Sequence, residues 1–124
     1  ALIGFQGVQS QRMYEIANQL PGLHLSWYAW WLSHSVEQVA LKHRIKPSHA
    51  NWLEAFPFTR VGELPETEKT PPHYQGLLSA DSTKSVFQDG SFGGPYEVDH
   101  SIMNEIFYAC YLDILNLLKF EWFY

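Results

Sequence analysis

The segment "EVDHSIMNEIFYACYLDILNLLKFEWFY", residues 97–124, predicts the longest helix of the chain. Its apolar residues recur at intervals of three and four, which is the spacing of one face of an α-helix. Asp99 and Ser101 stand where capping side chains start a helix. The apolar positions that we expect on the buried face are Ile102, Ile106, Ala109, Cys110, Leu112, Leu115 and Leu118.

The first 32 residues predict a β-α-β unit. The run "ALIGF", residues 1–5, is short and apolar and is typical of a buried strand. Residues 9–20, "QSQRMYEIANQL", have helical spacing and end before Pro21-Gly22, and "LHLSWYAWWL", residues 23–32, predicts a second strand with an aromatic end. A strand, a helix and a strand in about thirty residues form a parallel pair with a right-handed crossover. The predicted fold class is therefore α/β.

Two further elements and a long loop follow. Residues 33–45, "SHSVEQVALKHRI", predict a helix that Ser33 or Ser35 caps, and "HANWLEAFPF", residues 49–58, predicts a short helix ended by Pro57. The inward positions that we expect in the first of these helices are Val36, Val39, Ala40 and Leu41. Residues 59–97 are rich in Pro, Gly, Ser and Thr, which favours a loop region with a functional or interface role. The whole chain, residues 1–124, is interpreted as one partial domain.

Composition narrows the function classes. The net charge is −5 and Lys and Arg form no cluster, which argues against nucleic acid as a partner. No apolar run reaches the roughly 18 residues of a membrane-spanning helix. The single cysteine, Cys110, lies in an apolar run, which favours a reducing, cytoplasmic location. Aromatic residues make up 16% of the chain, and the chain starts with core-like residues, so we expect a second polypeptide, or an upstream half that was removed, to complete the fold.

Three stretches carry a family resemblance. They are "IGFQGV" (residues 3–8), "HANWLEA" (residues 49–55) and "FGGPYEVDHSIMNEIF" (residues 92–107). Their order and spacing resemble the second half of the creatininase family, in which an Asn-Gly-His-Gly-Gly-Asn turn, a His-Ala-Gly-x-x-Glu-Thr motif and a Gly-Asp-Pro turn occur in this order. The resemblance implies the second half of a three-layer α/β/α sandwich.

The resemblance also implies a chemistry. Family members are metal-dependent amidohydrolases that open cyclic amide or formamide bonds of small molecules with two divalent metals, zinc or manganese. It assigns Glu54 as a metal ligand and His49 as a proton shuttle beside the substrate, while most other ligands lie outside this chain. Trp30 and Trp31 suit the aromatic wall that the family has beside its substrate, and Trp52, which departs from the family pattern, is also predicted to bind substrate. Phe5 stands where the family has a histidine ligand, and a phenyl ring cannot bind a metal.

Three hypotheses about function follow. The chain is a subunit of a creatininase-like amidohydrolase acting on a non-peptide C–N bond, in a hetero- or homo-oligomer whose other polypeptide completes the metal site. Alternatively, it is a non-catalytic, degenerate scaffold subunit, as Phe5 suggests. Thirdly, it is a small binding module whose exposed aromatic residues dock a partner. Taken without the family, His49 and Glu54 also fit a turn residue and a solvated helix residue.

Overall fold

The computed structural model describes residues 2–122, with side chains described from residue 9 to residue 119. Within this range the α-helices are α1 (Leu2–Ala17), α2 (His34–Lys42), α3 (Ala80–Phe87) and α4 (His100–Trp122). Single turns of 3₁₀-helix lie at Trp30–Leu32, Trp52–Glu54 and Pro57–Thr59. None of the helices in this range is long and apolar enough to cross a membrane.

The predicted C-terminal helix is present as α4. Asp99 caps its first turn, because Asp99 Oδ1 accepts a hydrogen bond of 2.7 Å from the backbone N–H of Ser101. The hydrogen bonds from Ser101 hold the pKa of the Asp99 carboxyl below its usual value. The cap therefore comes from Asp99, and Ser101 acts as its donor.

The predicted helix after residue 33 is present as α2, and it packs against α4. Ser33 is the cap, since its Oγ accepts from the backbone N–H of Val36 at 3.1 Å. Val36 and Ala40 are buried as expected, whereas Leu41 is 62% exposed, contrary to the prediction. The buried stripe of α2 is narrower than the sequence suggested.

The predicted α/β sandwich is wrong for the described residues. No strand or sheet is present between residues 2 and 122, where an isolated bridge between Lys69 and Gly94 is the extent of β-pairing. The β-α-β unit is absent because α1 starts at Leu2, in the run predicted as the first strand (Ala1 lies outside the described residues), and residues 23–29 form no regular element. Short apolar runs do not distinguish a strand from a helix, and residues 23–32 contain no β-branched residue that would favour a strand.

Two other segments also differ from the prediction. The stretch from His49 to Phe58 forms two 3₁₀ turns instead of one short helix. Within the predicted loop region 59–97, residues 80–87 form α3, which Ser79 caps by accepting a hydrogen bond of 3.2 Å from the backbone N–H of Ser82. The rest of that region is irregular apart from the bridge at Lys69.

One core joins α2, α4 and the segment between them. Trp52 is its centre, with no exposed surface, and its indole N–H donates to the carbonyl of Lys46 at 3.1 Å. The buried members of the core are Val36, Ala40, Trp52, Leu53, Phe56, Met103 and Ile106. The core thus covers one side of α4, mainly in its N-terminal half.

A hydrogen-bonded carboxylate fixes α4 against the region before α2. Asp113 accepts one bond from the Tyr28 hydroxyl and one from the Ser35 hydroxyl, both of 2.7 Å. Burial opposes ionisation of Asp113, but these hydrogen bonds outweigh it and lower the pKa of its carboxyl. Burial, together with the bond to Asp113, raises the pKa of Tyr28. The contact therefore holds a charged carboxylate and a neutral phenol.

Candidate functional site

The candidate site lies where two distant segments pair, residues 46–56 and residues 89–96. The backbone N–H of Trp52 donates to the carbonyl of Pro95 at 2.9 Å, and the N–H of Phe92 donates to the carbonyl of His49 at 3.0 Å. Asn51 is buried beside them, and its Oδ1 accepts from the backbone N–H of Leu53 at 3.1 Å. The two segments form one hydrogen-bonded unit on the edge of the core.

Glycine is required at the turn of the 89–96 segment. Gly93 has φ 97° and Gly94 has φ 92°, a region that side chains rarely adopt. A Cβ atom on Gly93 would also lie 2.6 Å from the Cα of Pro71. The backbones of Gly94 and Lys69 hydrogen-bond in both directions, at 2.8 and 3.1 Å. These contacts fix the path of the chain past the candidate site.

An ion pair holds the start of the 89–96 segment. The Lys69 ammonium pairs with Asp89 and also donates to the carbonyl of Phe87 at 2.6 Å. The Tyr96 hydroxyl donates to the same carboxylate. The hydrogen bond from Lys69, supported by that from Tyr96, lowers the pKa of Asp89 to about 2. At neutral pH the Asp89 carboxylate is therefore charged, and its contacts with Lys69 and Tyr96 stabilise the 89–96 segment.

His49 and Glu54 do come together. His49 Nδ1 lies 3.5 Å from Glu54 Oε1, and both side chains are about half exposed. The same Oε1 accepts a hydrogen bond of 2.8 Å from the backbone N–H of Ala50, whose φ of 49° turns the chain between the two residues. The ring of Phe92 meets the imidazole edge-on, with 5.2 Å between ring centroids. An imidazole, a carboxylate and an aromatic ring thus share one surface position.

The described side chains do not complete a metal site on their own. His49 offers one ring nitrogen and Glu54 offers one carboxylate, whereas a zinc ion needs three or four protein ligands. Among the described residues, no group of three or more His, Cys, Asp and Glu side chains is placed to hold a metal ion. Phe5, at the family's histidine position, has a side chain outside the described residues.

The tryptophans predicted to bind substrate have different surroundings. Trp52 is in the centre of the core and has no exposed surface. Trp30 and Trp31 are half-buried, contact each other edge-on with centroids 5.9 Å apart, and pack against the core. The ring of Trp30 also contacts Phe56 at 5.8 Å between centroids. Their contacts in the described residues are therefore with the core.

Two residues that matter at this site were missing from the predicted set. Phe92 supplies the aromatic face beside His49, and Asn51 joins the two segments from inside. The signal for Asn51 was present in the sequence, because Asn commonly accepts a hydrogen bond from a backbone N–H two residues on. Phe92 had no local signal, since its contact depends on pairing between distant segments.

Cys110 and Glu105 of α4 add no reactive group here. Burial raises the pKa of the Cys110 thiol, which favours the unreactive protonated form. Glu105 pairs with Lys42 at 2.7 Å and with His43 at 3.1 Å, and the bond from Lys42 lowers the pKa of Glu105.

Comparisons with protein-family profiles, with curated proteins and with solved structures find no match to this chain.

Proposed function

We propose that this chain is part of an amidohydrolase that cleaves a non-peptide C–N bond of a small cyclic amide or formamide. The observation that carries the proposal is the pairing of the 46–56 and 89–96 segments. Two of the three stretches on which the creatininase resemblance rests meet there, around His49 and Glu54. The proposal concerns the reaction, since the described residues form a helical structure without a sheet.

The residues of this chain supply proton transfer and orientation. Hydrolysis of an amide adds oxygen to the carbonyl carbon and a proton to the leaving nitrogen. A proton on His49 Nδ1 faces Glu54 Oε1, which leaves Nε2 to exchange a proton with the substrate. The ring of Phe92 presents an apolar surface beside the imidazole, where a flat amide ring can lie.

The proposal includes a second polypeptide and zinc or manganese, as the family resemblance implies. The metal, when bound, would supply Lewis-acid activation of water. Glu54 is the one ligand that the resemblance assigns to the described side chains, and the other ligands would come from residues outside this chain. The assembly, rather than the isolated chain, is therefore the catalytic species.

The decisive experiment is native mass spectrometry of the protein purified from its own cells, with metal analysis of the same sample. We expect a complex with a second polypeptide and about two divalent metals per pair, the number that a two-metal hydrolase site holds. The same sample is then assayed with creatinine, 2-pyrrolidinone and N-methylformamide. A metal-free complex without hydrolytic activity on these amides would contradict the proposal.

Variants locate the activity in the candidate site. His49→Gln should lower kcat at least about 100-fold, as expected for loss of a general acid or base. The matched control is His34→Gln, because His34 also faces a glutamate, Glu37, at 3.6 Å and is exposed. Equal kcat values for His49→Gln and His34→Gln would remove His49 from the mechanism.

A second candidate function is a non-catalytic scaffold subunit. One observation favours it: Glu54 Oε1 already accepts the backbone N–H of Ala50, which is the role of a structural capping group. Glu54→Gln keeps an oxygen acceptor and removes the charge, so a scaffold would keep its free energy of unfolding and its assembly. In the enzyme, Glu54→Gln would instead lower metal content and activity while the fold stayed intact.

A further inference from the structure

One side of α4 carries a continuous apolar stripe that the rest of the described chain leaves about half exposed. Its members are Phe107, Tyr111, Ile114 and Leu118, which we call the outer stripe. Each of the four side chains is between 43% and 53% exposed. Phe58, from the 3₁₀ turn at Pro57–Thr59, continues the stripe, because its ring contacts that of Phe107 at 5.8 Å between centroids.

The outer stripe is separate from most of the face that α4 uses for the core. Met103 and Ile106 are fully buried against the core, and Asp113 is held by Tyr28 and Ser35. Ile106 and Asp113 lie roughly 100° around the helix from the outer stripe, because a helix turns 100° per residue, whereas Met103 lies one turn before Phe107 on the line of the stripe. The helix thus has one apolar side packed within the chain and, from Phe107 onward, a second one facing outward.

The spacing of the outer stripe matches a helical partner. Its members follow one another at intervals of four, three and four residues, which is the repeat of a coiled-coil seam. A mean spacing of about 3.5 residues between successive apolar positions keeps such a seam facing one neighbouring helix. A flat or irregular partner surface would not require this spacing.

The charge distribution fits a second copy of the same chain. Between residues 107 and 118 the only charged residue is Asp113, and it is bound on the inner side of α4. Two copies of the stripe can therefore face each other without like charges meeting. This condition matters for a twofold interface, in which every residue of the patch meets the same patch.

The order of side chains along the stripe sets the direction of the pair. The two aromatic members, Phe107 and Tyr111, come first, and the two smaller members, Ile114 and Leu118, follow. An antiparallel pair places each aromatic ring opposite an aliphatic side chain, so the gap between the helices is even along its length. A parallel pair would crowd rings at one end and leave space at the other.

The area is sufficient for a dimer at the lower limit of stable interfaces. Five side chains, namely the outer stripe with Phe58, are between 43% and 71% exposed. Because a large apolar side chain presents about 150–250 Å², these five expose on the order of 500 Å² per copy. Two copies would bury roughly 1,000 Å², which is the smallest area expected of a specific interface.

We infer that the outer stripe of α4 is a homodimer interface, in which α4 of a second copy packs antiparallel through the same residues. The inference does not depend on the proposed hydrolase activity, since His49 and Glu54 are not members of the stripe. It also means that the homodimer and a catalytic assembly would use different surfaces of the chain. The second copy covers α4, and any polypeptide that completes a catalytic site binds elsewhere.

Analytical ultracentrifugation across a concentration series tests the interface. The wild-type chain should sediment as a dimer that dissociates on dilution, and Ile114→Glu should shift the dissociation constant upward at least about 100-fold, because it places a charge in the seam. Leu41→Glu is the matched control, since Leu41 is an exposed leucine on α2, and it should leave the dimer unchanged. Circular dichroism confirms that both variants keep their helices.

Single cysteines test the direction of the pair in a Cys110→Ala background. In the antiparallel arrangement, Phe107→Cys mixed with Leu118→Cys should form a disulfide-linked dimer under mild oxidation, whereas Leu118→Cys alone should not. A monomeric wild type, a dimer that survives Ile114→Glu, or crosslinking of Leu118→Cys alone would overturn the inference.

Discussion

The two halves of α4 have opposite surroundings although their sequences are equally apolar. In the N-terminal half, Met103 and Ile106 are fully buried between α2 and Trp52. In the C-terminal half, Ile114 and Leu118 are more than two-fifths exposed, and the outward residues of α1, such as Met13 and Ile16, are exposed to a similar degree. The fold buries apolar residues of the first half, whereas it anchors the second half at Asp113 and leaves apolar surface there exposed.

This difference shows what apolar content can and cannot predict. An amphipathic pattern predicts that a face will be buried, but it does not predict what will cover the face. Large uncovered apolar surfaces commonly mark interaction sites. The packed half therefore contributes to the stability of the chain, and the proposed dimer depends on the open half.

The largest loss of stability is expected when Trp52, at the centre of the core, is replaced. Trp52→Ala removes a fully buried indole and leaves the Lys46 carbonyl without its donor, so the free energy of unfolding should fall by about 3–5 kcal/mol. Urea unfolding measures the loss. Trp27→Ala, at an exposed tryptophan, is the control and should change stability by less than about 1 kcal/mol. Similar losses at both positions would mean that Trp52 does not centre the core.

Two isoleucines of α4, one in each half, allow the packed half and the open half to be compared directly. Ile106→Ala should cost about 2–4 kcal/mol because it leaves a cavity in the core. Ile114→Ala should cost less than about 1 kcal/mol when it is measured at protein concentrations low enough to keep the chain monomeric. Urea unfolding of both variants under identical conditions compares them. A large loss at Ile114 would show that the open half is covered within a single chain.

Lowering the pH should destabilise the 89–96 segment, because Asp89 becomes protonated. Its pKa in the folded chain is about 2, below the ordinary value of 3.8, so folding favours the ionised form. The contribution to stability is complete above pH 3.8 and is lost as the pH falls from 3.8 towards 2. The free energy of unfolding, measured between pH 2 and pH 5, should lose part of its pH dependence in Asp89→Asn. Gln38→Ala, at an exposed position of α2 without a titrating group, is the control and should leave that dependence as in the wild type.

The smallest change in stability is expected at Ala50. It should be a gain, whereas the substitutions above cause losses. Ala50 has φ 49°, which strains a residue with a Cβ atom but not glycine. Ala50→Gly should therefore raise the free energy of unfolding by about 0.5 kcal/mol, after the entropy cost of glycine in the unfolded chain. Ala109→Gly, within α4, should instead lower it by about 0.5–1 kcal/mol. Thermal unfolding of the two variants side by side gives the sign in each case.

The helices that the sequence predicted correctly have local causes. Ser33 and Asp99 are capping residues, and the apolar intervals in α2 and α4 are those of a helix, so both elements follow from neighbouring residues. The strand predictions failed because residues 1–5 and 23–32 are short apolar runs whose structure depends on what packs against them. The helix α3 was missed because Ser, Thr and Asp dominate it and only Phe87 is buried.

The candidate site was predictable only in part for the same reason. His49 and Glu54 are five positions apart, so their proximity follows from a single turn of chain. The roles of Asn51 and Phe92 depend on contacts across the gap between the two paired segments, and no local pattern shows them. The expectation that Trp52 faces a substrate came from the family resemblance, whereas Trp52 is enclosed by the core in this chain.

The glycine-dependent contact between residues 51 and 93 also bears on how the chain tolerates change in length. The two residues are 42 positions apart, and closing a loop of that size costs about 3 kcal/mol of chain entropy. The cost grows only slowly with length, so doubling the loop would add about 0.6 kcal/mol. Insertions in the mostly exposed, irregular stretch 61–68, which lies between the two ends and outside the core, should therefore carry little penalty. Asn51 and Gly93, in contrast, must stay as they are, because they make the contact that holds the surface around His49.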